Sequence, residues 1–307
     1  MHTRKQAMLR RTFLKRGLGT VAGAAVAGMS GSCYPYHALT GGGTPKQTRL
    51  GFTTYTWGKP WDIPALIANC DQVKIYGVEL RTSQKYAHGV ELESTAEQRK
   101  EAKKQFKDSP VTLVGMACGE RYDSPDADKV TAAIEKTKGY LKLSHDVGGS
   151  GLRVFPNDFH KDVPKEETVA QIAKAMNELG AYAADYGQQV RLEAHGSAGG
   201  LADLRAIMDQ VTHPSVRVKL NSDKRDTTGA GFESNFNLVK DLLGDTLHLH
   251  DLKDEAFPYQ QQMNLLVKMG WGGWQMLEVS HKVPDTVAAL ADYRKIWDEM
   301  LAKALSA

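Results

Sequence analysis

Eight short β-prone runs, each separated from the next by a longer stretch, leave this chain few folds to choose from. The runs are Leu50–Tyr55, Gly77–Arg81, Thr112–Ala117, Leu152–Pro156, Val190–Ala194, Val216–Asn221, Leu247–Asp251 and Gln275–Val279. Strands that alternate with helices build a parallel sheet, and eight of them can close on themselves. The clearest helical pattern is Glu166–Tyr186, where Val169, Ile172, Met176, Leu179, Tyr182 and Ala183 recur at helical spacing. Pro284–Leu305 ends the chain in the same way, and a proline at a helix start loses no hydrogen bond. A doubly wound open sheet is the competing architecture. It usually has fewer strands, and no G-x-G-x-x-G turn follows the first run here. The chain reads as α/β, a (β/α)8 TIM barrel.

The barrel accounts for residues 49–307, and what precedes it reads as targeting. Arg10-Arg11-Thr12-Phe13-Leu14-Lys15 resembles the twin-arginine export motif, with Leu9 where that motif usually carries Ser or Thr. Gly17 to Gly31 is a weakly apolar run of small residues, too short and glycine-rich for a stable membrane span. Residues 1–33 are therefore expected to be a twin-arginine signal segment, and 34–48 a flexible linker. The expected location is the periplasm or another extracytoplasmic space. Ser30-Gly31-Ser32-Cys33 is a poor lipidation motif, because a branched apolar residue usually stands where Ser30 does, so an anchor at Cys33 is not favoured. With 41% hydrophobic and 24% charged residues the rest is ordinary globular protein. A net charge of +3, part of it in the leader, gives no case for nucleic acid as a partner. Cys33, Cys70 and Cys118 have neither metal-finger spacing nor a disulfide framework, and the last two read as buried thiols.

Strand residues of a closed barrel alternate between lumen and helix side, and sites form at the C-terminal rim. Polar residues fall there repeatedly. Glu79 and Arg81 share a face at the end of the second run, Arg153 and Asn157 at the fourth, Glu193 and His195 at the fifth. The sixth ends at Asn221-Ser222-Asp223-Lys224, the seventh in His248-Leu249-His250-Asp251, the eighth at Glu278. Any one of these could be a satisfied rim residue or a salt bridge, Arg153 with Glu79 or Glu193 for instance. Together, carboxylate, imidazole and amide oxygen converging on one lumen make a ligand set for a divalent ion such as Mn²⁺, Co²⁺, Mg²⁺ or Zn²⁺.

Four segments carry a family resemblance: Gly77-Val78-Glu79-Leu80-Arg81, Val190 to Gly196, Leu247 to Asp251, and Gly270-Trp271-Gly272-Gly273-Trp274-Gln275-Met276-Leu277-Glu278. From about Arg49 onward the chain resembles the xylose isomerase-like superfamily of sugar phosphate isomerases and epimerases. The resemblance implies one divalent ion held from strands five to eight, here by Glu193, Asn221, His250 and Glu278. It further implies that Glu193 and Glu278 flank the sugar carbon whose proton moves. His248 competes with His250 as the ligand, since both face the same way. Two departures stand out. Asn221 replaces a charged Asp ligand, with Asp223 on the same parity able to restore the charge if the strand continues, and Lys224 replaces a frequent His.

What the resemblance implies is an exported enzyme, a metal-dependent isomerase or epimerase of a sugar or sugar derivative. Glu193 and Glu278 would take and return a proton through an enediolate. Glu79, Arg81, Arg153, Asn157, His195, Lys224 and His248 would bind substrate, with Arg81 and Arg153 alternatively holding an anionic substituent such as a carboxylate. His88 and Glu91 are weaker loop candidates. Trp57, Trp271 and Trp274 could stack on a sugar but more commonly such residues pack in the core. Two rival expectations remain: a lyase or hydrolase that cleaves a keto-sugar or glycoside by elimination, and a non-catalytic carbohydrate-binding barrel. The partner is a small carbohydrate. Copies of the chain could pair through rim loops, which the sequence leaves undecided.

Overall fold

A computed structural model describes residues 47–307, and the leader, most of the linker and Cys33 lie outside the described residues. All eight expected strands form, every pair parallel, in the order β6-β5-β4-β3-β2-β1-β8-β7. They are β1 Arg49–Thr53, β2 Gly77–Arg81, β3 Thr112–Arg121, β4 Gly151–Phe155, β5 Gln189–Glu193, β6 Val216–Lys219, β7 Thr246–Leu249 and β8 Trp274–Leu277. Between β6 and β7 the ladder thins to a bridge of Val218 with Leu243, and His248 N donates to Leu220 O at 2.9 Å. The barrel closes there through a few bonds.

The helices are α1 Ile63–Gln72, α2 Ala96–Lys107, α3 Ala127–Val147, α4 Lys165–Asp185, α5 Leu201–Met208, α6 Phe232–Val239, α7 Tyr259–Lys268 and α8 Thr286–Leu305. In α4 the residues that set the sequence pattern are the buried ones, Val169, Ile172, Met176, Leu179 and Ala183, with Tyr182 only partly covered. Thr95 and Gln98 form a reciprocal capping box on α2. Pro284 does not begin α8: Asp285 caps it, accepting from Val287 N and Ala288 N, so the proline precedes the cap. Among the described residues no helix is long and apolar enough to cross a membrane. Cys70 and Cys118 are buried free thiols.

Several strands end earlier than β propensity predicts. β6 stops at Lys219 and β7 at Leu249, so Asn221, His250 and Asp251 sit in rim loops beyond the ladder. β3 is longer than expected and runs to Arg121.

Alternation sorts β5 into Val190 and Leu192, in the apolar core, and Arg191 and Glu193, in the lumen. The lower lumen is filled by Arg191, Trp274 and Met276. Their size requires missing side chains opposite. A Cβ on Gly151 would come 2.8 Å from Arg191 Cζ, and one on Gly77 would come 2.4 Å from the Trp274 ring. Above this floor the lumen is polar.

Candidate active site

The centre of the lumen is one layer of ionisable side chains. Glu79 from β2, Arg153 from β4, Glu193 from β5, Lys219 from β6 and His248 from β7 are all at most 2% exposed. Glu278, just beyond β8, completes the layer. His248 Nδ1 lies 3.2 Å from Glu193 Oε2 and 3.1 Å from Glu278 Oε2, while its Nε2 lies 2.9 Å from Glu79 Oε1. Lys219 Nζ spans both oxygens of Glu79 at 2.7 and 2.6 Å. Arg153 Nε sits 2.9 Å from Glu193 Oε2, and its Nη1 donates to Cys118 O at 2.9 Å.

Burial opposes the charge on the three carboxylates and on His248, and their partners overcome it; the Lys219 ammonium, buried as deeply, stays lowered from its ordinary value even beside Glu79. Desolvation raises the Glu79 carboxyl, but Lys219 and His248 hold it well below the usual range. Glu193 is likewise kept ionised against burial by Arg153 and His248, and Glu278 by His248. Burial would lower His248, yet Glu278 and Glu193 push it up to about 10. Three carboxylates thus face Lys219, Arg153 and an imidazole.

The layer has donors to spare. Glu193 Oε2 and His248 Nδ1 are buried without a hydrogen bond, because neither Arg153 Nε nor the imidazole is aligned along the short contact. Asn221 Oδ1 is buried and unpartnered too. Glu193, His248 and Glu278 each offer a ligand atom, all within 4.8 Å of one another. Two carboxylates and an imidazole are donors that fit a divalent cation. The carboxylate of Glu79 on the far nitrogen is the outer partner that ligating histidines usually have.

The remaining expected residues divide by position. His248 joins the carboxylates. His250, expected as the ligand, stands one step beyond the strand end and donates Nδ1–H to Glu278 O at 3.2 Å, which leaves its Nε2 free, while the buried group with Glu193 and Glu278 contains His248. His195 stacks on Phe155 with centroids 4.3 Å apart, and Arg153 lies over the same ring at 4.1 Å. Burial lowers His195 below its ordinary value. Arg81 stands above Glu79 on the same face of β2, half-buried. Asn157 is turned aside by a positive φ of 72°, and its amide donates to Asp123 and Asp158 at 3.2 and 3.0 Å. Lys224 pairs with Asp254 at 3.1 Å and is 64% exposed, away from the layer. Asp223 caps a short 3-10 turn and pairs with Arg225, so the strand does not continue to bring it inward.

His88 and Glu91 build the loop after β2. Glu91 accepts from the N–H groups of Ser83, Gln84 and Lys85, and His88 holds Arg81 O at 2.8 Å. Trp57 and Trp274 are buried, and Trp271 is tied to Gly244 O at 3.0 Å. Sequence reasoning missed Lys219. The available signal was its period-2 parity with Asn221, which places both inward.

The xylose isomerase-like TIM barrel family matches residues 67–300. Comparison with curated proteins finds no match. Among solved structures, the chain is similar to a 3-keto-D-glucoside 4-epimerase from E. coli, with 14% identity and a TM-score of 0.66 over 83% of this chain and 99% of that one. An L-ribulose 3-epimerase gives 14% identity and a TM-score of 0.68, covering 85% and 96%. The IolI protein, solved with a bound zinc atom, gives 16% identity and a TM-score of 0.66, covering 84% and 99%.

Proposed function

We propose that this chain, which belongs to the xylose isomerase-like TIM barrel family, is an isomerase or epimerase of a sugar derivative that works by proton transfer next to a carbonyl. The observation that carries this reading is the placement of Glu193 and Glu278, from different parts of the barrel, both against His248 Nδ1, at 3.2 and 3.1 Å, in one buried layer. Structures of similar fold include epimerases of a keto-glucoside and of a ketose, and one that binds zinc. These agree with the donor chemistry found here.

Glu193, His248 and Glu278 would hold the divalent ion, with Asn221 as a fourth donor. When bound, such an ion supplies Lewis-acid polarisation of a substrate carbonyl. The protein's own residues do the rest. Glu193 and Glu278 arise from different strands, so a sugar carbon between them presents one face to each. One carboxylate takes the proton and the other returns it, which inverts the centre or moves the carbonyl. Arg153 holds Glu193 in place and adds a fixed positive charge beside the charge that develops on oxygen. Glu79, clamped by Lys219, accepts from His248 Nε2 and fixes the imidazole plane. His195, against Phe155, is placed to bond sugar hydroxyls. Elimination would begin with the same abstraction and differ only in the fate of a neighbouring leaving group.

The test is exchange in D₂O with a panel of keto-sugars, followed by NMR. The proposal expects deuterium at the carbon next to the carbonyl with the skeleton intact. Glu193→Gln and Glu278→Gln should each lower exchange by roughly 10²–10⁴-fold. A released aglycone or unsaturated product would instead establish elimination. Full activity in both variants would remove the site assignment.

A further inference from the structure

Two arginines reach the lumen's upper half, and the structure gives them different duties. Arg153 is 1% exposed and committed to Glu193 and the Cys118 carbonyl. The neighbouring cations are committed as well. Lys219 is clamped on Glu79, Lys224 on Asp254, and Arg225 on Asp223 and the Ala194 carbonyl. Arg81 is different. Among the described residues no carboxylate lies within 4.0 Å of its guanidinium, which sets it apart; its Nε is buried without a hydrogen-bond partner, as are those of Arg153 and Arg225.

Its backbone is nevertheless fixed at both ends. Arg81 N donates to Thr54 Oγ1 at 2.8 Å, and Arg81 O accepts from His88 Nε2 at 2.8 Å. His88 Nδ1 accepts from Val90 N, which leaves the proton on Nε2. The guanidinium then lies between two rings, 5.7 Å from Tyr55 and 5.9 Å from Phe155. Tyr55 is 37% exposed and Phe155 buried, so one ring faces the mouth and the other the interior. Phe155 also carries His195 on its surface. Arg81 is thus a preorganised cation at the mouth, directly above the acid–base layer.

We infer that Arg81 selects a substrate bearing a carboxylate, a sugar acid in place of a neutral sugar. The inference rests on the sugar reading of the same lumen and adds the class of its substrate. A planar guanidinium matches a planar carboxylate through two parallel N–H bonds. A phosphate dianion would call for additional donors, and the strand-two loop spends the N–H groups of Ser83, Gln84 and Lys85 on Glu91. The cation holds the substrate's far end while Glu193 and Glu278 act on the carbon near the carbonyl. Neutral sugars would leave that guanidinium facing only water and aromatic rings.

The test is calorimetric binding of matched pairs, D-glucuronate against D-glucose and D-galacturonate against D-galactose, with D-glucose 6-phosphate as a third arm. At least one acid should bind about 10- to 100-fold more tightly than its neutral partner, the range for a hydrogen-bonded charge. Arg81→Gln should erase the difference, and Arg81→Lys should retain part of it, because charge survives but the fork does not. Raising the salt should narrow the gap. Equal binding within both pairs, a preference that survives Arg81→Gln, tighter binding of the phosphate, or no binding of any probe would overturn the inference. Exchange on neutral keto-sugars without acid preference would remove this inference and leave the isomerase reading intact. Acid preference through Arg81 with no exchange would do the opposite.

Discussion

His248 Nε2 and Glu79 Oε1 lie 2.9 Å apart although 169 residues separate them, and this contact orients the ring that faces both Glu193 and Glu278. An ionised carboxylate only accepts, so His248 must present Nε2–H to Glu79 and turn Nδ1 toward the other two. Lys219 holds Glu79 in place from the opposite side. The reactive groups of the layer are therefore braced by a fully buried ion pair within the same layer.

Breaking that brace should be expensive. Lys219 and Glu79 are both fully buried, so Lys219→Met strands a carboxylate away from water. We expect the single substitution to reduce unfolding free energy by roughly 3–5 kcal/mol. The double variant Lys219→Met/Glu79→Gln removes both charges and should recover most of the loss. Urea unfolding of the three proteins checks this. A single variant within about 1 kcal/mol of wild type would contradict a structural ion pair.

The sequence reading reached the fold because strand and helix periodicities alternate, and both survive in the structure. It reached most of the layer for a similar reason: Glu79, Arg153, Glu193 and His248 share the parity that points inward. Depth was harder to read. His248 and His250 have the same parity, and only the shear of the closed barrel decides which lies level with Glu193. β propensity likewise could not show that β6 ends at Lys219, leaving Asn221 beyond the ladder. Lys219 itself escaped notice because a strand lysine ordinarily marks a solvent edge, and its partner lies 140 residues away. Asn157 misled for a local reason. Its positive φ turns the amide toward Asp123, which alternation does not predict.

The loop after β6 should make stability depend on pH. Asp226 is 2% exposed; burial, reinforced by Asp223 and opposed by Arg225, pushes its carboxyl up to about 7 from 3.8. A folded value above the unfolded one means the folded state holds the proton more tightly. Its contribution is therefore complete below about pH 4 and lost as the pH rises through about 7. Asp226→Asn mimics the protonated form, so it should match wild type at low pH and exceed it at pH 8 by about 4 kcal/mol. Thermal unfolding across that range measures the difference. Parallel profiles for the two proteins would contradict it.

Export is the next expectation, and it rests on Arg10-Arg11 and the small-residue run after them. Replacing both arginines with lysine keeps the charge and removes the twin-arginine signature. The variant should accumulate inside the cell, whereas wild type should appear in the extracytoplasmic fraction. Undiminished export of the variant would refute the assignment.

The most direct measurement of the central claim is a Mn²⁺ titration followed by thermal unfolding of wild type, His248→Ala and His250→Ala, after chelation. An ion that binds only the folded protein raises Tm by mass action. The account predicts a rise in wild type that persists in His250→Ala and disappears in His248→Ala, because His248 Nδ1 is the imidazole nitrogen grouped with Glu193 and Glu278. A rise that vanishes with His250 and survives the loss of His248, or no rise in wild type, would contradict it.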